Sequence, residues 1–269
     1  MPLDQHGEAR FTNSPTGPRV APRPSAVEPP AQPLRRTRGR RPYWSIIIFI
    51  LLISGIGIRA YRDLSRPDSW AYWKDQYYAP RLASSLIASA DIDGSGLDGS
   101  SRGRPALAIS GTIGAAAASW LRDRLDEAHL AAGDAVLLSS PGGDLNQALI
   151  MGEIIRSRGL ATAVAVADST GHLRPAYCAS ACVLVYAGGK PRYGLEGSML
   201  GVHRFVASNP VHDPMAEAQR IAGTVLGYMT KMGVYSTIVE AMSQTRDVRW
   251  LGAKEAVAMN LVTDPVGRH

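Results

Sequence analysis

From residue 104 onward, short apolar runs alternate with longer amphipathic segments, and this alternation limits the fold more than any other feature. Strands are expected over 106–110, 135–139, 161–167 and near 199–203, and helices over 115–130, 145–158 and about 179–187. The run Ala135-Val136-Leu137-Leu138 has the composition of a buried strand. Strands separated by helices imply right-handed βαβ units, and so an α/β domain with a mostly parallel sheet covered by helices. Residues 215–232, 236–243 and 252–259 also have helical character, and no internal repeat is present.

The first 42 residues are of another kind. They hold eight arginines against Asp4, Glu8 and Glu28, and half of the 18 prolines. Nearly all of the formal net charge of +6 therefore belongs to a tail with too little apolar surface to fold. Nucleic-acid binding by the folded part is not indicated. An uncharged run follows from Tyr43 through Ile58 and ends at Arg59. Its length is near the lower limit of about 17 residues for a membrane-spanning helix. A cleaved signal peptide is the competitor, but the long preceding region and the absence of an Ala-x-Ala-like site before Arg59 favour an uncleaved signal anchor. The arginines at 35–41 place the tail in the cytoplasm and export the rest. Trp70, Tyr72, Trp73, Tyr77 and Tyr78 suit either a membrane interface or a cap on the domain core. Residues 88–103 read as a loop, with Asp91-Ile92-Asp93-Gly94 as a turn.

The chemistry-bearing stretch is Tyr177-Cys178-Ala179-Ser180-Ala181-Cys182, with His203 about two dozen residues later. A serine hydroxyl is a poor nucleophile at neutral pH, and it needs a nearby base and donors for the developing oxyanion. Ser139-Ser140-Pro141-Gly142-Gly143 follows a predicted strand, where glycines let backbone N–H groups approach a ligand. In open α/β sheets, sites lie beyond the carboxyl ends of the strands. Ser180 is thus the candidate nucleophile and His203 the candidate general base, with Gly142, Gly143 and Ala181 as candidate oxyanion donors. No metal-ligand set and no cofactor motif is evident, and Cys178 and Cys182 lack the further ligands a metal would need.

From about Ala106 to Val266 the chain resembles the proteolytic subunit of the Clp protease and its crotonase-like superfamily, especially exported Clp-like proteins of bacteria. The resemblance is carried by Ile109-Ser110-Gly111-Thr112-Ile113, Ser140-Pro141-Gly142-Gly143, Ala179-Ser180-Ala181, Ala187-Gly188-Gly189, Val202-His203 and Leu251-Gly252-Ala253-Lys254-Glu255-Ala256. It implies acyl transfer through Ser180 and His203, with the oxyanion held by the amides of Gly143 and Ala181. The family's acidic triad member should precede Trp250, where Met242-Ser243-Gln244 stands instead. Asp247 is the nearest carboxylate; Glu240, Asp213 or a dyad aided by Ser243 are the alternatives. The region after His203 is shorter than the family's helical handle, so neither a Clp-type chamber nor an unfoldase partner is expected.

These observations divide the chain into a cytoplasmic tail (1–42), a transmembrane signal anchor (43–60), a juxtamembrane segment and linker (61–103) and a hydrolase domain (104–269). The expected protein is a serine hydrolase, most simply a peptidase acting on a peptide or protein, in the bacterial inner membrane with its domain in the periplasm. Homo-oligomerisation is left open. The competing class is a Clp-like domain without activity that serves as a membrane-anchored binding or scaffold module. An acyl-CoA enzyme is disfavoured because export removes it from that substrate pool. Cys178 and Cys182 straddle the serine and can form a disulfide in an oxidising compartment.

Overall fold

A computed structural model describes residues 43–75, 81–90, 103–168, 170–205 and 213–266. The arginine-rich tail, the turn at Asp91-Ile92-Asp93-Gly94, and Tyr77 and Tyr78 lie outside the described residues. Helix α1 (Tyr43–Leu64) has 22 residues, no buried side chain and a mean hydropathy of 1.9 over its most apolar window. At 1.5 Å per residue it is about 33 Å long, long and apolar enough to cross a membrane. It continues past Ile58 because Arg59-Ala60-Tyr61-Arg62-Asp63-Leu64 contains neither glycine nor proline. Helix α2 (Pro67–Trp73) follows, and Trp70, Tyr72 and Trp73 are exposed, which removes the core-capping role for these three.

The remaining elements alternate much as the sequence implies. Strands β1 (Leu82–Ala90) and β2 (Arg104–Gly111) precede α3 (Ala117–Ala128), β3 (Ala135–Ser139), α4 (Leu145–Ser157) and β4 (Ala161–Ala167). Next come β5 (Leu173–Pro175), β6 (Tyr177–Ala179), α5 (Cys182–Ala187), β7 (Arg192–Leu195) and β8 (Met199–Val202). Helices α6 (Pro214–Lys231) and α7 (Thr237–Ser243), strand β9 (Arg249–Leu251), helix α8 (Ala253–Ala258) and strand β10 (Asp264–Val266) complete the domain. The fold is mixed α/β. Its central sheet runs β1-β2-β3-β4-β7-β10, with β5 on β4, and is parallel from β2 to β10. A smaller sheet runs β6-β8-β9.

Strand composition explains the layering. In β3, Val136 and Leu138 join the large core with the helices, whereas Ala135 and Leu137 join a thin layer on the opposite face with Ala106, Ala161, Ala163 and Ala165. Both faces are buried, which is why β3 and β4 are apolar apart from Ser139 and Thr162. Helix α4 approaches α5 closely through Gly152, where a Cβ would lie 2.9 Å from the Leu184 carbonyl oxygen.

Two expectations differ from what is observed. Residues 82–90, assigned to a linker, form an edge strand antiparallel to β2. Their small residues show no regular alternation of large apolar side chains, and pairing with β2 makes the strand. Helix α5 begins at Cys182 and not near 179, because Tyr177-Cys178-Ala179 pairs in parallel with Met199-Leu200-Gly201.

Opposite the strand ends that carry the serine, Arg192 is 3% exposed and has no carboxylate partner among the described residues. Its guanidinium donates to the carbonyls of Leu261 (2.8 Å), Asn260 (2.7 Å), Met232 (3.1 Å), Gly189 (3.3 Å) and Ala187 (3.5 Å). Arg156 shares two of these, Met232 at 3.0 Å and Ala187 at 3.1 Å. The carbonyls lie at or just past the C-terminal ends of α5, α6 and α8, where the helix dipoles favour a cation. Burial, and then the neighbouring Arg156, hold the Arg192 pKa below its ordinary value. The hydroxyl of Tyr228 donates to the Leu184 carbonyl at 2.7 Å, and burial raises its pKa.

Candidate active site

Hydrogen bonds set three of the sequence motifs side by side at the carboxyl ends of their strands. The Ser140 N–H donates to the Tyr177 carbonyl and the Ala179 N–H donates to the Ser140 carbonyl, each at 3.0 Å, so the turn after β3 lies along β6. The Ser180 N–H then donates to the Gly201 carbonyl at 2.8 Å, which joins the end of β6 to β8. His203 follows β8 directly. Pro-Gly-Gly turn, serine and histidine thus occupy consecutive places across one edge.

Ser180 has φ +57° between β6 and α5, a left-handed conformation that a side chain adopts at a cost of about 1–2 kcal/mol. Such an outlier on a strand-to-helix turn lifts the hydroxyl away from the sheet. Gly142 has φ +100°, and a Cβ there would lie 2.6 Å from the Ala179 carbonyl oxygen, 2.8 Å from Ser180 Cβ and 2.9 Å from Ala181 N. Only glycine allows the turn to press against the serine in this way.

The backbone donors divide cleanly. The Gly142 N–H donates to Ser140 Oγ at 3.0 Å, so this amide, one of the three proposed for an oxyanion, is already engaged. Ser140 itself is buried. Gly143 sits opposite Ile113: the Ile113 N–H donates to the Gly142 carbonyl and the Asp144 N–H donates to the Ile113 carbonyl, both at 2.8 Å. Asp144 then caps α4 by accepting from the Gln147 N–H at 2.9 Å. Among the described residues, no hydrogen bond engages the N–H of Gly143 or of Ala181. Ala181 follows Ser180 in the chain, and Gly143 follows the glycine that packs on Ser180.

His203 is half-buried, and its Nδ1 lies 2.8 Å from the Arg204 carbonyl oxygen. A carbonyl only accepts, so Nδ1 carries a proton, and in the neutral ring Nε2 keeps the lone pair. No hydrogen bond joins Ser180 Oγ to His203 among the described residues. Asp247 is exposed; its main-chain carbonyl accepts from Thr245 Oγ1 at 2.9 Å, and its carboxylate forms no ion pair with His203. Asp213 caps α6 through the amides of Met215 and Ala216, and Ser243 Oγ donates to the Glu240 carbonyl. None of the carboxylates considered from the sequence stands at His203. Its orienting partner is a backbone carbonyl, a group that no pattern of side chains reveals.

Cys178 and Cys182 are joined by a disulfide, with Cα atoms 5.3 Å apart and both residues fully buried. The bridge spans the turn that carries Ser180. His172 is exposed in the loop before β5, where Asp168 accepts from the Thr170 hydroxyl and the Thr170 and His172 amides. Among the described residues, no group of three or more His, Cys, Asp or Glu side chains is placed to hold a metal ion.

No protein-family model and no curated protein sequence matches the chain. Among solved structures, a single-substitution mutant of ClpP1 from Listeria monocytogenes is similar to it, with a TM-score of 0.47 and 15% identity over 61% of this chain and 91% of that one. A likeness of that degree carries no functional conclusion.

Proposed function

We propose that this chain is a membrane-anchored serine hydrolase that cleaves peptide bonds through an acyl-enzyme on Ser180. The observation that carries the proposal is the left-handed Ser180 pressed against Gly142, with the unengaged amides of Gly143 and Ala181 beside it. His203 Nε2 takes the proton from Ser180 Oγ as that oxygen attacks the scissile carbonyl carbon. The carbonyl oxygen becomes an oxyanion held by the two amides. His203 then returns the proton to the leaving amine, and water releases the acyl group by the same steps in reverse order of roles. The Arg204 carbonyl, holding Nδ1–H, does the orienting that an aspartate does in a triad, so the machinery is a dyad and Asp247 is outside it. Donation from Gly142 to Ser140 makes Gly142 a shaper of the turn and not an oxyanion donor.

Helix α1 anchors the chain with the arginine-rich tail in the cytoplasm and the domain exported, a compartment in which the Cys178–Cys182 bridge persists. A fluorophosphonate probe mapped by mass spectrometry tests the proposal. Label on Ser180 alone, lost in Ser180→Ala with an unchanged melting temperature, is the expected result. A folded wild type that takes no label would instead make the domain a binding module.

A further inference from the structure

We infer that Asp75, from the juxtamembrane segment outside the hydrolase motifs, is a positioning residue for the oxyanion turn; this rests on the role proposed for Gly143. Asp75 is 8% exposed just beyond α2. Its Oδ2 accepts the Ala116 N–H at 3.0 Å, immediately before α3, a helix with no side-chain cap of its own. Gly114 packs so closely on the carboxylate that a Cβ there could not be accommodated. Among the described residues, Oδ1 is buried without a hydrogen-bond partner and forms an ion pair only with the Nε of the exposed Arg81 at 3.9 Å.

A buried carboxylate with one oxygen unsatisfied is costly to keep. What it holds is the segment that includes Ile113, the residue bound on both sides to Gly142 and Asp144. Asp75 fixes Gly114 and Ala116, Ile113 fixes the turn, and the turn carries the Gly143 N–H. Tyr72 adds a second tie between α2 and α3 through Ser119 Oγ at 3.1 Å, but it touches neither Ile113 nor the turn. Oxyanion donors work only within a narrow geometry, and a displacement of about 1 Å can cost about a hundredfold in rate.

Hydrogen–deuterium exchange on the full-length protein tests the coupling without any need for activity. Asp75→Ala should speed exchange in 112–118 and also in the turn at 141–145. Asp75→Asn, which keeps an acceptor for Ala116, should restore both. Tyr72→Phe should leave 141–145 unchanged. If Asp75→Ala unfolds outright, Gly114→Ala, which pushes the carboxylate aside from the loop between β2 and α3, should reproduce the faster exchange at the turn. In parallel, the fluorophosphonate labelling rate of Ser180 should fall about 10- to 100-fold in Asp75→Ala and stay within about threefold of wild type in Asp75→Asn. Faster exchange confined to 112–118, or equal labelling of wild type and Asp75→Ala, overturns the role. A wild type that takes no label defeats the hydrolase proposal, and the exchange data then decide the coupling by themselves.

Discussion

The surroundings of Ser180 and of Arg192 treat polar groups in opposite ways. Around Arg192 the guanidinium reaches five carbonyls at three helix ends. Around Ser180 two amides have no hydrogen-bond partner among the described residues, and a serine is held at φ +57°. The first arrangement gathers satisfied hydrogen bonds and serves stability. The second keeps strain and open donors, which a stable fold tolerates only where the surroundings over-determine them. Within one domain, the contrast separates what holds the chain together from what it can do.

Substitutions in the two places should have different consequences. Arg192→Leu leaves buried carbonyls unpaired and should cost about 3–5 kcal/mol in denaturant unfolding, with unchanged Ser180 labelling of the fraction still folded. A loss of labelling without a loss of stability would place Arg192 with the site. Ser140→Ala removes the acceptor for the Gly142 N–H. It should cost about 1–3 kcal/mol and slow labelling about tenfold, because the turn loses its internal brace. Unchanged labelling kinetics would show that the turn is held without Ser140.

Strain at Ser180 predicts a smaller effect of unusual sign. Ser180→Gly and Ser180→Ala should both be unlabelled, yet the glycine protein should be the more stable by about 1 kcal/mol, since glycine adopts positive φ freely. Equal stabilities would mean the turn carries no strain. In the loop before β5, the Thr170 hydroxyl and then its amide hold the Asp168 carboxyl below the usual carboxylate range. The folded pKa lies below the unfolded one, so this contribution is complete above the unfolded value and is lost as pH falls through the folded one. Thr170→Val should move the Asp168 titration, followed by NMR, up toward the ordinary value; an unmoved titration would remove the hydroxyl as its cause.

Much of this organisation was legible in the chain. β3 and β4 coincide with the strands expected over 135–139 and 161–167, because strands buried on both faces read as unbroken apolar runs. The order of Pro-Gly-Gly turn, serine and histidine followed from short motifs at strand ends. Less legible was whatever depends on backbone groups or distant pairing. β1 becomes a strand only through β2, and β6 displaces the first turn of the helix expected near 179. The engagement of Gly142 by Ser140, and of His203 by the Arg204 carbonyl, leaves no mark on residue types. Asp247 is the nearest carboxylate before Trp250 in the sequence, yet the structure leaves it exposed and without an ion pair to His203.

If Gly143 and Ala181 hold an oxyanion formed on Ser180, a crystal structure of the fluorophosphonate adduct will show it. The phosphonyl oxygen should lie about 2.7–3.1 Å from both N–H nitrogens, with His203 Nε2 facing Ser180 Oγ. An adduct on Ser180 whose oxygen points to solvent, with either amide bonded elsewhere, would contradict the account.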